Sequence, residues 1–204
     1  MLIQSLIDKS KYSIKCPYAM SPIGICVHNT ANNASAKNEV AYMKSNNNEV
    51  SFHIAIDDVE AIQAIPLDRN TWHAGDGGSG TGNRKYISIE ICYSTGDINK
   101  FKQAEIRASK EIALLLKQYG WNINNVKKHQ DFSGKYCPHK TLDLGWSRFL
   151  KMVQNELNNL NKPTSTASSK IYKVQVGAYK NYNNAKTMQE KLKKLGIDSY
   201  IKEE

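Results

Sequence analysis

The sequence predicts an α/β fold, a central mixed β-sheet with flanking helices, followed by a small β-α-β segment at the C-terminus. Short apolar runs rich in β-branched residues, at 23–28, 50–57 and 86–93, read as strands. Apolar residues recur at helical spacing at 35–45, 99–119 and 146–160. A third observation sets off the tail: residues 161–170, NKPTSTASSK, have the small, polar, proline-containing composition of a linker. The expected organisation is one domain at 1–160, a linker at 161–170 and a short segment at 171–204.

Taken in order, residues 1–22 are an irregular lead-in ending at Pro22. IGICVH at 23–28 reads as a buried strand. After the polar HNTANNAS, Ser35 offers a capping oxygen to a helix reaching about Ser45, with Val40 and Met43 on its inner face. VSFHIAID at 50–57 alternates as a strand, and EAIQAI at 60–65 returns after Asp57-Asp58 as the second arm of a hairpin. Residues 68–85 are glycine-rich and read as a loop; without a GxxxxGK[ST] pattern they make no phosphate cradle. YISIEICY at 86–93 places Ile87, Ile89 and Ile91 on one face and Ser88, Glu90 and Cys92 on the other. The clearest helix, 99–119, carries Phe101, Ala104, Ala108, Ile112, Leu115 and Tyr119 in register and stops at Gly120. A last helix at 146–160 aligns Phe149, Val153, Leu157 and Leu160. In the tail, 171–179 alternates, 184–195 is helical and 197–202 reads as a second strand. Such a piece falls below the ~40 residues at which a domain usually holds a core unaided.

Composition narrows the function. The chain has 204 residues, of which 40% are hydrophobic, enough for a core. The net charge is +9, which favours anionic partners such as nucleic acid, a membrane surface or an acidic cell wall. Zinc-finger spacing and interleaved aromatic and basic residues are both absent, which argues against nucleic acid. No run approaches the ~20 apolar residues of a membrane span. Four cysteines are too sparse for a disulfide scaffold, and Cys26 and Cys92, inside apolar runs, read as small buried hydrophobes. The N-terminus, MLIQSLIDKSKYSIKCP, lacks the unbroken apolar stretch of a secretory signal, so synthesis in the cytoplasm is expected.

The chemistry concentrates in KKHQDFSGKYCPH, residues 127–139. His129 and Cys137 are of the types that hold zinc, and a catalytic zinc needs a third protein ligand and an open position. His28 suits best, because side chains at strand ends line sites in α/β folds. His53 lies mid-strand, His73 sits in the glycine-rich loop, and His139 follows Cys137 too closely. A zinc hydrolase also needs a carboxylate to accept a proton. Glu90 interrupts an isoleucine-rich strand, a costly place for a carboxylate without a partner or a task. Lys135 could meet a developing oxyanion.

The stretches GICVHNTANNASA, SFHIAID, IPLDRNTWHAG, RKYISIEICY and HQDFSGKYCP, in this order, resemble the zinc-dependent N-acetylmuramoyl-L-alanine amidases of the type 2 group. These are relatives of bacteriophage lysozyme-amidases and peptidoglycan recognition proteins. The resemblance covers roughly residues 1–158 and is closest to phage endolysins whose lead also reads like KYSIKCP. It implies a zinc cleft at one edge of the sheet and hydrolysis of the amide between N-acetylmuramic acid and L-alanine. One Zn2+ would be held by His28, His129 and Cys137, with Glu90 and Lys135 catalytic. Trp72 and His73 would line the cleft and bind glycan or stem peptide, and His53 would be structural. Some relatives place a catalytic Tyr where Phe52 stands, and this departure puts more weight on Glu90. A non-catalytic recognition module is disfavoured, because such relatives lose the cysteine that Cys137 supplies.

The tail, in IYKVQVGAYKNYNNAKTMQEKLKKLG, is similar to the start of a SPOR domain. That implies a βαββαβ sandwich binding glycan strands stripped of stem peptides, of which about half is present, truncated or completed by a second copy. Peptidoglycan is thus the expected partner. An endolysin released through a membrane lesion is favoured over a host autolysin of the same activity.

Overall fold

A computed structural model gives the fold and describes residues 2–162 and 174–203. The chain divides into two compact units, Met1–Lys162 and Pro163–Glu204.

In the first unit the strands are β1 (Leu2–Gln4), β2 (Gly24–Asn29), β3 (Ile54–Ile56), β4 (Ala61–Gln63), β5 (Tyr86–Ile91) and β6 (Val126–Lys128). They form a mixed sheet in the order β1-β4-β3-β5-β2-β6. The β3–β4 hairpin is antiparallel and every other neighbouring pair is parallel. The helices of this unit are α1 (Tyr12–Lys15), α2 (Ala36–Ser45), α3 (Thr81–Lys85), α4 (Ile98–Tyr119), α5 (Gln130–Ser133), α6 (His139–Asp143) and α7 (Trp146–Asn161).

Both sheet faces are covered, as parallel strands require. On one, the isoleucines of β5 and Ile25 and Val27 of β2 pack with Phe101, Ala108 and Ile112 of α4 and Phe149 and Val153 of α7. Arg148 of α7 donates to the fully buried Glu105 of α4, Nη2 to Oε2 2.6 Å. On the other face, Ala36, Val40 and Met43 of α2 pack with Ala55, Ile62 and Cys92. The expected helix signals operate. The Ser35 hydroxyl accepts from Asn38 N–H at 3.3 Å, and Gly120 ends α4 in the left-handed region at φ 67°.

Three expectations are corrected. Residues 1–22 are not irregular, for they carry β1 and α1; a strand of three residues is too short to show a period. The strand expected at 50–57 pairs only at 54–56, because the Ser51 N–H goes to the Trp72 carbonyl and the His53 N–H to the Ser88 hydroxyl instead of into a ladder. The glycine-rich loop contains α3.

The second unit holds α8 (Tyr182–Lys194), capped by the Asn181 side chain, which accepts from Asn183 N–H at 2.8 Å. No residue of this helix is buried. Of the two strands expected here, residues 171–173 lie outside the described residues, and 174–179 and 197–202 join no ladder among the described residues. A strand is stable only with a partner, and neither segment has one among the described residues.

The sheet order decides where chemistry can occur. Strands β5, β2 and β6 are adjacent and parallel, so their C-terminal ends reach the same edge of the sheet. Ligands of open α/β sheets bind at that edge.

Candidate metal centre

His28 is the penultimate residue of β2, and His129 follows directly on β6. Parallel pairing of the two strands brings the rings together across 101 residues of sequence, Nδ1 to Nδ1 3.0 Å. Cys137 Sγ lies 3.9 Å from His28 Nδ1. The loop returns it there: Gly134 turns at φ 76°, and Gln130 N–H donates to the Cys137 carbonyl at 3.0 Å. All three side chains are buried, and their donor atoms lie within 4.8 Å of one another.

The electrostatics suit a cation. Burial pushes the His28 ring well below the usual histidine range, with His73, His129 and Lys135 adding to the effect. Burial, then Lys135, lowers His129. Both rings are therefore neutral at pH 7, the form that ligates. Burial raises the Cys137 thiol to about 11, and a cation at the site reverses that penalty. Two imidazole nitrogens and one sulfur facing one point fit zinc, with a fourth position left for the cleft.

Glu90 of β5 is the register partner of His28. Its Oε2 is buried with no hydrogen-bond partner among the described residues. Burial raises this carboxyl to about 8; Glu39 adds to the rise and Lys135 opposes it. Lys135 is exposed on the cleft wall. The cleft encloses about 790 Å³ and is lined by His28, Glu90, His129, Lys135 and Cys137 together with Phe52, Trp72 and His73. Phe52 offers no proton-transfer group.

Trp72 is pinned from behind. Its indole N–H donates to the Ile14 carbonyl at 2.8 Å, and its ring meets Tyr18 edge-on at 6.1 Å. His73 lines the cleft, yet both its ring nitrogens are engaged by protein: Nδ1 lies 2.9 Å from His28 Nε2, and Nε2 lies 3.0 Å from the Gly82 carbonyl. His53 is structural. Ser88 N–H donates to its Nδ1 at 2.9 Å, and its Nε2 lies 2.8 Å from the Arg69 carbonyl. His139 opens α6 and belongs to neither candidate ligand group among the described residues.

Sequence reasoning missed Asn29 and Tyr18. Asn29 follows His28, and its Oδ1 accepts from Lys140 N–H at 2.9 Å and Thr141 N–H at 3.1 Å, fixing the helix after Cys137. The signal was the His-Asn pair at a strand end. Tyr18 lies on the cleft wall, in the lead-in read as irregular.

The fold and donor set define an α/β protein with a His2Cys group that could hold a metal ion, open to a groove. Its lineage is equally definite: the chain belongs to the N-acetylmuramoyl-L-alanine amidase family, whose sequence profile matches residues 18–140. The SPOR domain profile matches residues 168–204. The chain is 49% identical over 173 residues to N-acetylmuramoyl-L-alanine amidase CwlA of Bacillus subtilis (strain 168), covering 84% of this chain and 64% of that protein. It is 48% identical over 178 residues to N-acetylmuramoyl-L-alanine amidase XlyB of the same strain, covering 85% and 56%. It thus spans somewhat less than two thirds of these relatives. The solved structure of PlyL superposes with a TM-score of 0.74 at 50% identity, covering 76% of this chain and 98% of that one. No helix among the described residues is long and apolar enough to cross a membrane.

Proposed function

We propose that the first unit is a peptidoglycan hydrolase cleaving the amide between the lactyl group of N-acetylmuramic acid and L-alanine. The observation that carries this reading is the convergence of His28, His129 and Cys137 beside Glu90 in a family of amidases. The three donors would hold one zinc ion. Bound there, zinc supplies Lewis-acid polarisation and a lowered water pKa.

The other steps fall to side chains. Glu90 takes the proton of the attacking water at a carboxylate oxygen and returns it to the leaving amine nitrogen. Its raised pKa suits a group that must both accept and give a proton near neutrality. The Lys135 ammonium faces the developing oxyanion. Trp72, Tyr18 and Phe52 form an apolar wall that orients glycan or stem peptide and limits water.

The tail would form a partial cell-wall-binding segment, 171–204, joined through a linker at 161–170 to the catalytic domain, 1–160. It would hold stripped glycan, the product of the first unit. The role we favour is an endolysin made in the cytoplasm and acting on the wall after release.

Mass spectrometry of digested wall tests the reading. New L-alanine amino termini with intact glycan are expected, lost on chelation or in Cys137→Ser. New reducing sugar ends instead would overturn it.

A further inference from the structure

The part of the glycine-rich stretch from His73 to Asn83 has no place in the mechanism above, yet it is closely hydrogen-bonded within itself. The Asp76 carboxylate accepts from Gly82 N–H at 2.6 Å and Asn83 N–H at 3.2 Å. Asn83, itself buried, accepts at Oδ1 from His73 N–H and Ala74 N–H, both at 2.8 Å. The loop is therefore folded back on itself, and what it fixes is the backbone of His73.

The ring of His73 is fixed at both ends. The Gly82 carbonyl, 3.0 Å from Nε2, can only accept, so Nε2 carries the proton. In a neutral imidazole Nδ1 is then a bare lone pair. The atom facing it is His28 Nε2 at 2.9 Å, which must donate. His28 therefore carries its proton on Nε2. Its Nδ1 is bare and points at His129 Nδ1 and Cys137 Sγ. Cys26 Sγ, 3.1 Å from His28 Nε2, is a weak second acceptor on the same N–H.

We propose that His73 is a positioning residue, which accepts the His28 Nε2 proton and so holds His28 Nδ1 as the ligating atom, with the loop 76–83 as its brace. This rests on the zinc reading above. Metal-ligating histidines depend on such an acceptor for tautomer and ring orientation, and its loss lowers metal affinity about 10- to 100-fold. The relay runs Asp76, Asn83, His73, His28, from an exposed loop to the buried ligand.

The test is zinc affinity of the full chain, measured by competition with a chromophoric chelator. Wild type should bind one equivalent. His73→Phe, which keeps the ring but removes the acceptor, should bind about 10- to 100-fold more weakly. His73→Asn, which keeps an amide oxygen near the Nδ1 position, should recover part of the loss. A purely structural role would lower the metal-free melting temperature of both variants and leave their zinc affinities equal to wild type, and that result overturns the proposal. So does a second zinc equivalent lost in His73→Phe, because Cys26, His28 and His73 would then be ligands themselves. If wild type binds no zinc, it is the preceding functional reading that fails. Long-range proton–nitrogen spectra of the metal-free wild type decide the matter even if the variants do not fold: His28 protonated on Nε2 is expected, and protonation on Nδ1 overturns it.

Discussion

His28 and Glu90 are register partners on neighbouring parallel strands, so one ladder of backbone hydrogen bonds sets imidazole and carboxylate side by side on the same face of the sheet. The geometry of the candidate site is thus fixed by strands, with β6 delivering His129 and the loop beyond it Cys137 and Lys135.

The first prediction separates proton handling from metal binding. Glu90→Gln keeps shape and burial but cannot accept the water proton. Wall-clearing activity should fall about 100- to 10,000-fold, with zinc content by elemental analysis unchanged. Loss of zinc in this variant would place Glu90 among the ligands instead.

A second concerns the ion as a cross-link. His28 and His129 are 101 residues apart in sequence, and a ligand that binds only the folded state stabilises it. Free zinc at about 100 times its dissociation constant should add about 2.7 kcal/mol, read as a rise in melting temperature. Cys137→Ser should shrink that rise sharply; an unchanged rise would mean that Cys137 does not ligate.

The third uses His53. Burial lowers its pKa to about 4, against 6.5 for the free side chain; the Arg69 carbonyl opposes the fall. The folded protein therefore refuses a proton that the unfolded chain takes up below pH 6.5. The contribution is fully present above that pH and is lost as pH falls towards 4, on the order of 3 kcal/mol in all. Denaturant titrations from pH 7 to 4 should show a steeper loss in wild type than in His53→Gln. Equal slopes would contradict the buried neutral ring.

A fourth addresses the brace around His73. A Cβ on Gly82 would stand 2.4 Å from Ala74 Cβ and 2.9 Å from the Phe132 ring. Gly82→Ala should cost about 1–3 kcal/mol of stability, measured by denaturant unfolding. A neutral result would show that the loop relaxes freely.

The legibility of the sequence followed burial and length. YISIEICY was readable because isoleucine alternates with Ser88, Glu90 and Cys92, and α4 because 22 residues give the helical period room to repeat. His28 and Glu90 were visible as polar residues in apolar runs. The edge strands β1 and β6 were not: Leu2–Gln4 and Val126–Lys128 are three residues each, and β6 carries two lysines because only its first residue is buried. The brace was hidden for another reason. It depends on a contact between His28 and His73, 45 residues apart, and on carbonyls that every residue possesses.

Because β2, β5 and β6 run in the same direction, they also enter the sheet together, at the rim opposite the cleft. The turn Ile123–Asn125 lies at that entry, and Asn124 there is exposed. A dye, a bead tether or an affinity handle attached at Asn124 would leave the groove unobstructed. Anchored this way, the molecule would present its cleft outward to an insoluble, surface-bound polymer.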